Sequence, residues 1–229
     1  MTSRHTDRPL VALISATPAA IAPAVEGLTE DFPEAVVWNI LDDRLLTEAD
    51  EHGGVVGPLA QRMFRLIDHA VTEGADAVLL TCSMYGPIAR TYPAPVPVLA
   101  PDDAAFAAAV DGGFDRILVV ASFEAALLDT EKRFADFVAA QSKTIKILGA
   151  YAPAAHEATR DGDQHSLLTA LTETCVTFTD RIDAILLAQY SLAPVASALS
   201  ERLGIPVVSG PVTAANLLRT RLDYTSETA

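Results

Sequence analysis

The chain has 229 residues, 50% of them apolar, and a formal net charge of −14. That length bounds it to one large domain or two small ones with ample core. The acidic balance argues against nucleic acid and anionic membrane surfaces as partners, but not against an anionic small ligand, which backbone amides can hold without Lys or Arg.

Residues 1 to 8 read as a polar start, and Leu10 to Ile14 as a buried-type strand. Arg4 and Arg8 precede an apolar run, but the run is minimal and Ser15 interrupts it, so a signal peptide is not expected. Thr17-Pro18 opens a helix to about Thr29, with Thr17 at the N-cap. Ala35 to Ile40 is a second strand, which places Asn39 at a strand end before Asp42 and Asp43. Gly53, Gly54 and Gly57 mark a loop before a helix that carries Leu59, Met63, Leu66, Ile67 and Ala70 on one face and stops at Gly74. Ala77 to Thr81 and Val96 to Leu99 are the third and fourth strands.

A helix from Pro101-Asp102 runs to about Gly112, and the pattern then restarts. Arg116 to Ala121 is a strand, Glu124 to Ala139 a helix and Thr144 to Leu148 a strand. Ala152 to Asp163 is polar and carries no clear periodicity; Leu167 to Thr179 is a helix. Ile182 to Ala188 and Val207-Val208 are strands on either side of a helix from Pro194 to Leu203, and Gly210-Pro211 opens a last helix to about Arg221. Solid apolar strands alternating with helices predict parallel sheets covered on both faces. No run reaches transmembrane length.

Two stretches repeat. Asp-Ala-Val-Leu-Leu-Thr-Cys-Ser-Met-Tyr-Gly-Pro-Ile-Ala from residue 76 aligns without a gap on Asp-Ala-Ile-Leu-Leu-Ala-Gln-Tyr-Ser-Leu-Ala-Pro-Val-Ala from residue 183. Cys82 falls on Gln189, and the same offset lays Ser15 on Ser122. The repeat predicts two similar Rossmann-like α/β halves related by a pseudo-twofold, 1–100 with 209–229 and 101–208, with an active site in the cleft between them.

Cys82 then stands at the C-terminal end of a strand and ahead of a helix, where a thiol gains acidity and serves as base or nucleophile. The other reading is a buried structural cysteine. Gln189 can donate and accept hydrogen bonds but exchanges no proton. Ser15, Ser83, Ser122 and Ser191 at predicted strand ends, with nearby backbone N–H groups, make an anion pocket as a set, though each alone reads as a cap. Thr17, Asn39 and Tyr190 are weaker contacts on the same rim. His156 and His165 lack metal-ligand spacing, Asp42-Asp43 could bind a cation but reads first as a solvated turn, and Cys175 reads as core packing. Two cysteines that are not spaced as a framework fit a reducing, cytoplasmic compartment. No phosphate-binding glycine loop and no nucleophile-elbow motif occurs.

The motifs Leu-Leu-Thr-Cys-Ser-Met-Tyr-Gly-Pro and Leu-Leu-Ala-Gln-Tyr-Ser-Leu-Ala, with the opening Leu-Ile-Ser-Ala-Thr-Pro and the Trp38–Asp43 segment, resemble the aspartate/glutamate/hydantoin racemase superfamily over nearly the whole chain. The superfamily also contains maleate isomerase and arylmalonate decarboxylase. The resemblance implies cofactor-independent chemistry beside a carboxylate or carbonyl of a small acid, and an isomerase as the first expectation. In the amino-acid racemases two cysteines flank the substrate. Cys82 matches the first, and Gln189 departs from the second. A single-cysteine decarboxylase and a non-catalytic small-acid binding protein are the alternatives. No metal is expected, and a homo-oligomer is allowed.

Overall fold

The computed structural model describes residues 8–223. They form two compact units, one running to Pro101 and resuming at Ala214, the other spanning Asp102–Thr213. In the first unit β1 (Leu10–Ser15) is followed by α1 (Ile21–Asp31), β2 (Val36–Leu41), α2 (Arg44–Glu51), α3 (Gly57–Thr72), β3 (Ala77–Leu80), α4 (Gly86–Thr91) and β4 (Val98–Leu99). The second runs α5 (Asp103–Asp111), β5 (Arg116–Ala121), α6 (Glu124–Ala140), β6 (Lys146–Tyr151), α7 (Pro153–Asp161), α8 (Gln164–Val176), β7 (Ala184–Leu187), α9 (Ala196–Leu203) and β8 (Val207–Val208). Helix α10 (Gly210–Arg221) starts in the second unit and ends in the first.

Each unit holds one four-stranded parallel sheet, in the order β2-β1-β3-β4 and β6-β5-β7-β8. The central strands read as unbroken apolar runs because both faces are covered. In β5 and β7, Leu118, Val120, Ile185 and Leu187 pack toward Leu167, Leu171 and Cys175. The alternate residues Ile117, Val119, Ala184 and Leu186 pack toward Phe106, Phe134 and Val138. In the first unit Ile14, Val78 and Leu80 meet Leu45, Met63 and Ile67. Fully burying one such aliphatic chain contributes about 1.5–3 kcal/mol.

Order reverses at β1 and at β5, since each is followed by a neighbour on one side and then by one on the other. In open parallel sheets such a switch point leaves a crevice at the carboxyl ends of the strands, where ligands bind. The amino ends are tied by the repeated aspartate. Leu10 N donates to Asp76 Oδ2 at 2.7 Å, and Asp183 binds the Arg116 guanidinium at 2.6 and 3.2 Å.

Helix α2 and helix α7 occupy segments that the apolar periodicity did not mark, and β6 runs on to Tyr151. Helix α9 ends where Gly204 takes a φ of 66°, a left-handed turn that glycine adopts without cost. The serine equivalence expected from the repeat is off by one residue. The register that pairs Val11 with Ala77 pairs Ile117 with Ala184, so Ser15 corresponds to Ala121 and Ser122 to Ala16. Apolar identities cannot fix register, and a one-residue slip turns every side chain to the other face. Among the described residues no helix is long and apolar enough to cross a membrane.

Candidate active site

In the first unit, the chain leaves β3 through Thr81 and reaches Cys82 still extended, at φ −115° and ψ 119°. It then closes a short 3-10 turn over Ser83–Tyr85, in which Tyr85 N donates to Cys82 O at 3.1 Å, before Pro87 enters the first turn of α4. Cys82 is half-buried and outside any disulfide. Thr81 and Ser15 sit side by side on neighbouring strand ends, and Thr81 Oγ1 donates to Ser15 Oγ at 2.9 Å. Both are buried, so this bond clamps the carboxyl ends of β1 and β3 together beside the thiol.

Tyr85 anchors the turn from below. It is fully buried, and its hydroxyl donates to Leu45 O at 2.9 Å, tying α2 to the Cys82 turn. Burial, and then negative charge at Cys82 and Asp42, push its phenol up to about 12. Tyr85 therefore stays protonated. Close to it Arg62 of α3 reaches Asp42 at 2.6 and 2.7 Å and Glu48 at 3.3 Å. Asp42 is thus held by an arginine and is not the solvated turn residue expected.

The second unit places Gln189 at the matching point after β7, extended at φ −137° and ψ 141°, ahead of a 3-10 stretch over Tyr190–Val195. Its side-chain oxygen accepts from Ser122 N at 2.8 Å and from Ser122 Oγ at 3.0 Å. Ser83 and Ser191 lie in the turns just past the two strand ends, half-buried, and among the described residues neither hydroxyl has a hydrogen-bond partner.

Other expected contacts fall differently. Thr17 occupies the N-cap position of a 3-10 turn over Pro18–Ala20, but its side chain makes no capping bond. Asn39 is a correction. It lies inside β2, in register with Leu13, and is exposed, because the strand continues to Leu41. Tyr190 is buried, and burial, then the charge of Asp102, raise its phenol well above 10. It is a weaker acid than free tyrosine. Cys175 is enclosed on α8, and burial pushes its thiol up to about 12, so it is inert packing. Phe123 and His156 pack with ring centroids 4.3 Å apart and their planes tilted by 57°. Among the described residues no cluster of three His, Cys, Asp or Glu could hold a metal ion.

The sequence motifs pointed to Cys82 and Gln189 but not to Thr81, Tyr85 or Arg62. Thr81 and Tyr85 stand inside the quoted motif, and only the pairing of β1 with β3 and the packing of α2 reveal what they bind.

No family model matches the chain, and no curated protein does. Solved structures do. The aspartate racemase of Picrophilus torridus superposes with a TM-score of 0.72 at 13% identity over 94% of either chain. The allantoin racemase of Klebsiella pneumoniae reaches 0.71 at 16% identity, over 94% of this chain and 88% of its own. A mutant of arylmalonate decarboxylase reaches 0.58 at 18% identity over 95% of either chain. By these superpositions the chain has the fold of these racemases, here two units that each hold one four-stranded parallel sheet with helices.

Proposed function

We propose that the chain is a cytoplasmic, racemase-superfamily isomerase that acts without a cofactor on a small carboxylic acid or a related carbonyl compound. Cys82 is the base or nucleophile. The observation that carries this reading is its position: a half-buried thiol at the carboxyl end of β3, beside the switch point, followed at once by the amides of a tight turn. Ser83, Ser191 and the adjacent backbone N–H groups hold the anion, with Thr17 at the edge, and Gln189 orients it.

Removing a proton next to a carboxylate builds enolate charge on oxygen. Stabilising that charge with donors already in place is the largest energetic task, and one such donor contributes about 2.7–4 kcal/mol. Racemisation also needs a proton delivered to the opposite face. Gln189 cannot exchange one, and Tyr190 is a poor acid where it is buried. One-sided chemistry follows: isomerisation by a single base, addition of the thiolate to an unsaturated acid, or protonation of one face after loss of carbon dioxide. The last makes a single-cysteine decarboxylase the second reading, favoured by the likeness to arylmalonate decarboxylase and by one thiol at the two matching strand ends, although here it stands at the first position and in that enzyme at the second.

The test is incubation in deuterium oxide with a panel of small acids, followed by NMR. Deuterium should enter one face faster than the other and depend on Cys82. Equal wash-in to both enantiomers would contradict one-sided chemistry. Release of carbon dioxide from substituted malonates would select the decarboxylase. Full activity in C82A would remove the thiol from the mechanism, and saturable binding with no exchange in any acid would leave a binding protein.

A further inference from the structure

Gln189 and Ser122 form a unit whose polarity is fixed by the main chain. The β5–β7 ladder runs out with Ala188 N donating to Val120 O at 2.9 Å. One step further the Gln189 amide takes over, and Ser122 N lies 2.8 Å from its oxygen. A peptide N–H can only donate, so the atom facing it is Oε1 and not the NH2 group. The Ser122 hydroxyl adds a second bond to the same oxygen at 3.0 Å. Both lone pairs of Oε1 are then used, and Nε2 is turned away with two N–H donors. Among the described residues these donors have no protein partner.

We propose that Ser122 is a positioning residue that locks Gln189 as a donor-only group, and that the position takes an acceptor oxygen of the ligand, a carboxylate or a carbonyl. Ser122 does not itself touch the ligand. A substrate that presents an N–H or an ammonium group to this point is rejected, because two donors would meet. This rests on the small-acid reading above for the identity of the ligand, but the lock itself does not.

Substitution by glutamate isolates the effect. Gln189→Glu keeps one oxygen for Ser122 N and Oγ and replaces only the outward NH2 by a second oxygen. The fold is retained while the donor becomes a charged acceptor. In 15N,13C-labelled protein, the lock gives a through-hydrogen-bond coupling from Ser122 N–H to the Gln189 side-chain carbonyl carbon, lost in Gln189→Ala. Titration with sodium malonate should shift the Gln189 Nε2 protons and leave Ser122 N–H in place. Gln189→Glu should weaken malonate binding by at least about tenfold, the loss expected when a hydrogen bond to a charged group disappears. Ser122→Ala should keep the coupling through its own N–H but broaden the Nε2 signals and weaken malonate binding, at unchanged denaturation midpoint. Absence of the coupling in folded wild-type protein overturns the lock. Binding that is equal in wild type and Gln189→Glu overturns the donor role. Coupling present with no malonate binding sustains the lock and counts against the small-acid reading.

Discussion

The two sheets share strand order, direction and an aspartate anchor at their amino ends, yet their carboxyl ends are built from different chemistry. After β3 the chain offers a thiol beside a buried Thr81–Ser15 pair; after β7 it offers an amide already bound at its oxygen by Ser122. The residue at the end of β1 that would hold a side chain after β3 in the same manner is Ala16, which has no hydroxyl. Where the strands must pair, the repeat has kept its side chains, and where a ligand would sit, it has diverged. One strand end carries a thiol, and the other an amide held by its oxygen.

The sharpest way to break this contrast is to remove the thiol. Cys82→Ala should lower the rate of deuterium exchange about 10²–10⁴-fold, the usual worth of a positioned acid or base, whereas Gln189→Ala should leave measurable exchange with weakened binding. A similar rate loss in both would make the two positions equivalent.

Next in size is a difference in ion pairs. Arg133 pairs with Asp102 with side chains only 13% and 10% exposed. Burial works against the charge, but Asp102 and Asp129 more than offset it and raise the Arg133 pKa. Asp102→Ala leaves Arg133 with Asp129 at 2.7 Å, so the cost in urea denaturation should fall at or below the low end, about 3 kcal/mol, of breaking a buried pair. Asp42→Ala should cost less, because Arg62 is 26% exposed and likewise keeps a carboxylate, Glu48.

The thiols separate without any substrate. With Cys175 pushed up to about 12 by burial, folded protein treated with iodoacetamide at pH 8 should take up one label, on Cys82, and the second only in denaturant. Mass mapping of a native label to Cys175 would refute its burial.

The smallest effect distinguishes the two anchors. The bond from Arg116, and then its charge, hold Asp183 below the ordinary carboxylate range. A depressed folded pKa stabilises above the unfolded value, near ~3.9, and the contribution is lost as pH falls through the folded value. Asp183→Asn should therefore flatten the acid limb of the stability curve below about pH 4. An unchanged limb would show that the pair does not survive in solution.

Much of the architecture was legible in the sequence, because buried parallel strands leave solid apolar runs and the gapless repeat at 76 and 183 marks two similar halves. The strand-end positions of Cys82 and Gln189 followed from the same runs. Three things were not. The slip between Ser15 and Ser122 depends on hydrogen-bond register, to which Leu, Ile and Val are indifferent. Asn39 looked like a terminus because it is polar, but on an edge strand a polar residue simply takes the exposed face. Arg62 meets Asp42 twenty residues away only through the way α3 lies on the sheet, a pairing no local pattern encodes.

Helix α10 has a consequence for synthesis. Ala214, Ala215 and Leu218 are fully buried, and Arg219 binds Glu34 at 2.6 Å, so the first unit is closed by a segment made after the whole of the second. The second unit, Asp102–Thr213, is contiguous and can complete its sheet as it emerges. The first must wait, its apolar surface uncovered, for a contact 185 residues distant in sequence. Such late, non-local closure slows folding and gives chaperones a defined surface to shield, and it makes the thiol-bearing unit mature after its neighbour.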